Sequence, residues 1–518
     1  MKRAWYVVLL GAVAVGGWAL AQPGSQIVIG LQAEPVTLDV AQLSDYNSSR
    51  TAMPMFEGLV RFADGSTDLE PALAERWEVS EDGLTYTFYL RPGVVFHDGT
   101  PVNAEAVEFS FLRQLDPDHP YHDTGQFPYA EFTLGTIADI EVHDELTLRI
   151  TLSDTFAPFL SNLAMHAAAV VSPSAVMAFG SDFSENPVGS GPYRFVRWVR
   201  DQEVVLSAFD DYWYGTPSIQ EIVFRPIPES SSRVAELVTG GVDVITNLSP
   251  EAVPLVSGSG QAVAATVPSI RNIFIVLNVT GEGPLDDPRV RLALNHAVDK
   301  EQIIRTILGG DGVANGCPLN PYMYGYVEDL CAPIPYDPER ARELLAEAGY
   351  ADGFTFTMGS PDGRYLNDRQ VAEAVVGQLA AVGVRAELRV QEWSSYVGQV
   401  LERSIPTDAW LIGWGNSQFD ADNTMFSLLY GGTIEGGAPR SVFTYLYDAT
   451  LDALLAEARA TVDQERRAEL YADGLALVRD AAPWIFLYQQ VDIYGVGTRV
   501  DWEPRPDELI WAFDAALR

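Results

Sequence analysis

Apolar and polar positions alternate over 26–33 (QIVIGLQA), the two-residue period of a strand that buries one face. Residues 46–61 read as a polar turn and then an amphipathic helix carrying Met53, Phe56 and Leu59. A second strand, 84–90 (LTYTFYL), runs into Arg91-Pro92-Gly93, where proline and glycine favour a turn. Asn103 is placed as the N-cap of a helix with Val107, Phe109 and Leu112 on its apolar side. Strands at 140–142 and 146–152 complete a small mixed unit over roughly 51–185.

Gly189-Ser190-Gly191-Pro192-Tyr193 then opens a hairpin, 193–199 to 203–208, that turns at Arg200-Asp201. A strand at 221–226, a helix at 231–239 stopped by Gly240-Gly241, and a short strand at 242–245 follow. Beyond residue 270 strands and helices alternate, beginning with a strand at 272–279. Asp287, Asp299 and Asp337 stand as N-caps, and Pro288 and Pro338 occupy first helical positions. The segments 354–358, 367–382 and 385–390 form a β-α-β unit, whose strands should run parallel. Residues 452–479 read as helical in two pieces, and Pro483 separates them from a buried strand at 484–488. No low-complexity linker parts the two α/β regions, so several short crossings should join them, which is a hinge arrangement.

The start of the chain changes the setting. Met1-Lys2-Arg3 is basic, 7–15 is apolar, and Ala19-Leu20-Ala21 is a small-x-small cleavage pattern, so 1–21 is expected to be an export signal and Gln22 the mature N-terminus. No later stretch reaches the ~20 apolar residues that a membrane span needs. The 518 residues predict two or three domains. Seventy-one acidic against 33 basic residues give a formal charge of −38, and the only lysines are Lys2 and Lys300. Such an excess repels nucleic acid and anionic lipid and marks a solvated acidic surface. Cys317 and Cys331 are the only cysteines, and in an oxidising compartment they are expected to pair, the alternative being two buried thiols.

Four stretches carry a resemblance: ALAERWEVSEDGLTYTFYL from Ala72 with Phe96-His97-Asp98-Gly99, PVGSGPYRF from Pro187, DPRVRLALNHAVDK from Asp287, and YDPERARELLAEAG from Tyr336. In order and spacing the chain resembles the large peptide-type solute-binding proteins of ABC importers, which include dipeptide, oligopeptide and nickel receptors. The resemblance implies an α/β, two-lobed fold of the periplasmic-binding-protein type II kind with an additional small α/β domain. It places lobe I at 22–50, 186–270 and 480–518, the accessory domain at 51–185, and lobe II at 271–479. It further implies a periplasmic monomer that closes on a ligand, needs no cofactor or metal, and hands the ligand to the permease subunits.

The first candidate for ligand contact is the segment after the strand 409–412. There Trp414 can cover a flat solute face and Asn416, Ser417 and Gln418 can hydrogen-bond it, the plainer reading being a tryptophan that packs a strand end. Peptide receptors of this kind often carry an aspartate where Ser417 stands, and a neutral hydroxyl cannot make the same charge-assisted bond to an amino terminus. Asp420 and Asp422 come later, where capping the next helix is the expected duty. Tyr488, Gln489 and Gln490 form a second candidate, and Tyr46 and Asn47, between Asp45 and Ser48, a third; their plainer readings are a strand edge and a surface turn. His119 and His122 are spaced i,i+3, but Pro120 between them breaks the helical face a metal pair would need, and Ser190 precedes a strand instead of a helix, unlike a nucleophile elbow. The expected activity is capture of a peptide or similarly sized polar solute. Alternatives are a nickel-chelate or oligosaccharide receptor of the same fold, and a secreted hydrolase working with paired carboxylates.

Overall fold

The computed structural model describes residues 25–63, 65–279, 283–432 and 448–518. The expected export signal and its cleavage site lie outside them. Among the described residues no helix is long and apolar enough to cross a membrane.

The main sheet runs Val384–Glu392, Phe354–Asp362, Ala409–Gly415, Ala262–Leu277, Trp484–Gly497, Val244–Ile245, Gln26–Leu31, Glu221–Pro226, Glu203–Ala208, Tyr193–Val199, with Gly312–Ala314 paired off this path to Trp484–Gly497. Two strands in the middle, Ala262–Leu277 and Trp484–Gly497, are long enough to belong to both halves. They pair antiparallel at 262–268 with 491–497 and again at 272–276 with 484–489, and the register shifts between Pro268 and Asn272. Proline has no amide to give a ladder, so it falls where pairing lapses.

Each half has its own interior. One core gathers Ile27, Ile29, Leu206, Phe224 and Tyr494. On the other side of the lapse, alternate residues of one strand serve two cores: Ile273, Ile275 and Leu277 face Leu294, Met358 and Val371, while Phe274 and Val276 face Trp410, Tyr471 and Trp484. Phe274 stacks on Trp484 with ring centres 4.0 Å apart. A further core, with Phe88, Phe96, Phe111 and Ile150, backs a separate four-stranded antiparallel sheet ordered Ala74–Val79, Thr85–Leu90, Thr147–Leu152, Ile137–Asp144. This smaller unit is tied to the first half by a buried ion pair, Arg113 Nη2 to Asp39 Oδ2 at 2.5 Å.

Capping chemistry is where expected. Asp287, Asp299 and Asp337 accept the amides of Arg289, Gln302 and Arg340. Asn103 accepts from Ala106 N, although the fully buried side of its helix is Val107 and Phe111, with Phe109 and Leu112 only half-buried. Phe354–Asp362 and Val384–Glu392 pair in parallel. Cys317 and Cys331 form a disulfide. The polar turn and following amphipathic helix expected over 46–61 are instead a helix Tyr46–Ala52, a 3-10 turn Met53–Met55 and a strand Val60–Phe62. Pro54 explains the break, since its ring cannot continue an α-helix. The strand expected at 272–279 starts ten residues earlier, at Ala262. Lys300 is buried, its Nζ donating to the carbonyls of Asn295, Val298 and Ile334 at the end of the helix Pro288–Ala297, and burial lowers its pKa to about 8.

Candidate functional site

A cavity of about 450 Å³ opens between the two halves of the sheet, a size suited to a small solute. One wall is the first turn of Tyr46–Ala52, which Asp45 holds by accepting the amides of Asn47 and Ser48, both at 3.0 Å. This cap presents Tyr46 and Asn47 to the cavity. Opposite, the strand Phe354–Asp362 ends and the chain turns at Gly363-Arg364-Tyr365. Asp368, 2% exposed, accepts the three amides of that turn at 3.0, 2.9 and 3.0 Å. Arg364 is thereby fixed at the cavity, its guanidinium 5.2 Å from the Tyr365 ring and 5.2 Å from that of Trp393. Among the described residues no carboxylate pairs with it. The floor comes from the hinge strand Trp484–Gly497, through Gln490 and Asp492.

Charge at the floor is arranged in a fixed order. Arg271 Nε donates to Glu508 Oε1 at 2.9 Å, and Arg50 Nε donates to the Glu508 carbonyl at 2.8 Å. Burial opposes ionisation of Glu508, yet Arg271 and Arg50 hold its carboxyl below the ordinary range. Asp492 lies beyond these pairs; burial, and then the charge of Glu508, push it up to about 7. Four oxygens of lining residues, Asn47 Oδ1, Gln490 Oε1, Asp492 Oδ2 and Tyr494 Oη, are shielded from water and make no hydrogen bond.

The structure brings together Tyr46, Asn47 and Gln490 at this cavity. The other residues proposed from sequence sit elsewhere or are engaged within the protein. Trp414 is half-buried against the Trp410 core and donates its indole N–H to Asn423 Oδ1 at 2.8 Å. Asn416 donates to the Asp420 carbonyl at 2.7 Å and Thr424 Oγ1 at 3.0 Å, and Gln418 donates to Asn162 Oδ1 in the smaller unit. Ser417, partly exposed, lies between them outside the cavity lining. Tyr488 is buried in the Ile275 core, and Gln489 donates to the Ser269 carbonyl at 2.8 Å. Asp420 does cap the helix Ala421–Leu429, and Arg467 grips its two oxygens at 2.7 and 2.6 Å. Sequence reasoning missed Arg364, Asp492, Arg50 and Glu508. For Arg364 a signal existed: it follows the carboxyl end of a parallel strand, where ligands of open α/β sheets bind.

A cavity walled by both halves of a sheet that two shared strands connect is the arrangement of a solute-binding protein. Residues 68–436 match the family described as bacterial extracellular solute-binding proteins, family 5. The chain belongs to that family and is a solute-binding component of an ABC importer. It is 36% identical to heme-binding protein A of Haemophilus influenzae over 88% of this chain and 85% of that protein. It is 33% identical to a glutathione-binding protein of Pectobacterium atrosepticum over 94% and 93% of the two chains. A Helicobacter pylori ABC-transporter-associated periplasmic binding protein, solved in complex with the peptide STSA, superposes with a TM-score of 0.82 at 28% identity, covering 95% of this chain and 98% of that one.

Proposed function

We propose that this receptor captures a peptide-sized polar solute bearing a free carboxylate in the cavity between its halves, and delivers it to the permease without altering it chemically. The observation that carries this is Arg364: a guanidinium oriented by a three-amide turn, flanked by two aromatic rings, and, among the described residues, in no ion pair with a carboxylate. Arginine's fork matches a carboxylate in geometry and charge. Haem, glutathione and a free peptide, the ligands that relatives are named for, all carry one. A neutral oligosaccharide does not. The halves move as lobe I (22–50, 186–270, 480–518) and lobe II (271–479), with 51–185 riding on the first. We place the hinge at 268–272 and 489–491, where the shared strands lose register. The setting is the periplasm, after removal of 1–21.

The test is calorimetric titration with dialanine, trialanine and glutathione against their carboxyl-terminal amides, together with mass spectrometry of any solute that co-purifies. Amidation and Arg364→Gln should each weaken binding roughly 10- to 100-fold. Equal affinity for acid and amide, or recovery of a chemically changed solute, would overturn the reading.

A further inference from the structure

We propose that the smaller unit carries a second binding site, separate from the cavity between the halves, for a small organic cation that presents N–H donors, an alkylammonium or guanidinium group. A cavity of about 540 Å³, enough for a small solute, is lined by Gln42 from the first half and by Gln114, His122, Asp123 and Phe127 of the smaller unit. It shares no lining residue with the cavity between the halves. Gln114 is 5% exposed, and among the described residues its Oε1 makes no hydrogen bond. Buried acceptors are normally met, so this one calls for a donor from outside the chain.

The inner lining has committed its donors within the protein. Both N–H groups of Gln114 go to main-chain carbonyls, of Ser110 at 3.1 Å and Ala167 at 2.8 Å. His122 Nδ1 sits 3.0 Å from the Arg113 carbonyl, which can only accept, so Nδ1 carries the hydrogen and the neutral ring leaves Nε2 as an acceptor. Thr124 gives its hydroxyl hydrogen to the Tyr121 carbonyl at 2.7 Å. Gln42 gives an N–H to Asp39 Oδ2 at 2.8 Å, and Gly125 leaves the space that this amide fills, since a Cβ there would overlap it. What remains for a guest is acceptors. Asp123 adds an exposed carboxylate, in no ion pair among the described residues. The neighbouring cation, Arg113, is buried and already matched by Asp39, so Asp123 sets the sign of the charge at the cavity. Phe127, half-buried, offers a ring against which an alkyl stem can pack. An anion would meet only acceptors here and an alcohol could donate once, whereas an ammonium or guanidinium brings several N–H groups and a matching charge.

The experiment is calorimetric titration of the full chain with propylamine and propylguanidine, and with 1-propanol as the uncharged control. Each cation should bind at one site, and the alcohol more weakly by roughly 10-fold or more. The chain's charge of −38 attracts any cation diffusely, so the variants have to separate a built site from that background. Gln114→Met changes no charge and should weaken both cations by roughly 10-fold, because the unmet acceptor is gone. Asp123→Asn should weaken them by roughly 3- to 5-fold, whereas Asp118→Asn, the same loss of charge at an exposed position outside the lining, should leave affinity within about 1.5-fold. These two exposed substitutions carry the test should Gln114→Met unfold. Equal affinities in Asp123→Asn and Asp118→Asn, or 1-propanol bound as tightly as the cations, would overturn the site. So would the absence of binding by either cation.

Discussion

The side-chain amide of Gln489 reaches across the two shared strands to the main-chain carbonyl of Ser269, 2.8 Å away, within the stretch where their ladder is interrupted. On either side of this stretch the strands pair through their backbones, with one further register shift between Ile273 and Phe274; here a side chain bridges them. A single side-chain bond constrains two strands less than a backbone ladder does, which suits the position proposed for the hinge. Gln489→Leu should therefore leave the fold in place but loosen the closed state. Stopped-flow measurements should show faster solute release, by roughly 3- to 10-fold, with less change in association.

The pair Arg467–Asp420 is almost completely buried, with side chains 2% and 5% exposed. It anchors the segment carrying Asn416 and Gln418. Removing one partner strands a charge in the interior, which costs about 3–5 kcal/mol. Arg467→Ala should lower stability by that amount in urea titrations. The double variant Arg467→Met with Asp420→Asn should recover part of it, because no unpaired charge remains.

Glu57 is a buried carboxyl that accepts from Tyr212 Oη at 2.8 Å and Trp213 Nε1 at 3.0 Å. Burial outweighs these bonds and raises its pKa to about 7. The folded chain then holds a proton that the unfolded chain has released, between the ordinary pKa of 4.5 and about 7. Stability from this group is complete below that window and declines as pH rises through it, by on the order of 1–3 kcal/mol. Glu57→Gln should flatten this part of the melting-temperature profile and raise stability at pH 8.

Much of the framework was legible because local chemistry marks it. Asp287, Asp299 and Asp337 announce helix starts, and Gly240, in the left-handed region at φ 77°, announces a stop. Lengths were harder: nothing local in 262–271 distinguishes a strand that continues through Pro268 from a loop. Tyr46, Asn47 and Gln490 were legible as polar and aromatic groups beside strand or turn signals. Arg364, Asp492 and Glu508 were not, since their convergence comes from topology that joins distant parts of the chain. Conversely, the amides of Asn416 and Gln418 look available in sequence, yet the fold uses them internally.

Lys300 stands in the interior with its ammonium committed to three carbonyls, and it is the single lysine among the described residues. Amine-reactive dyes and carbodiimide immobilisation, the common routes for attaching a reporter or a sensor surface, would find no exposed side-chain amine on these residues. On the described residues a probe of closure is addressed through carboxylates or through a residue introduced for the purpose.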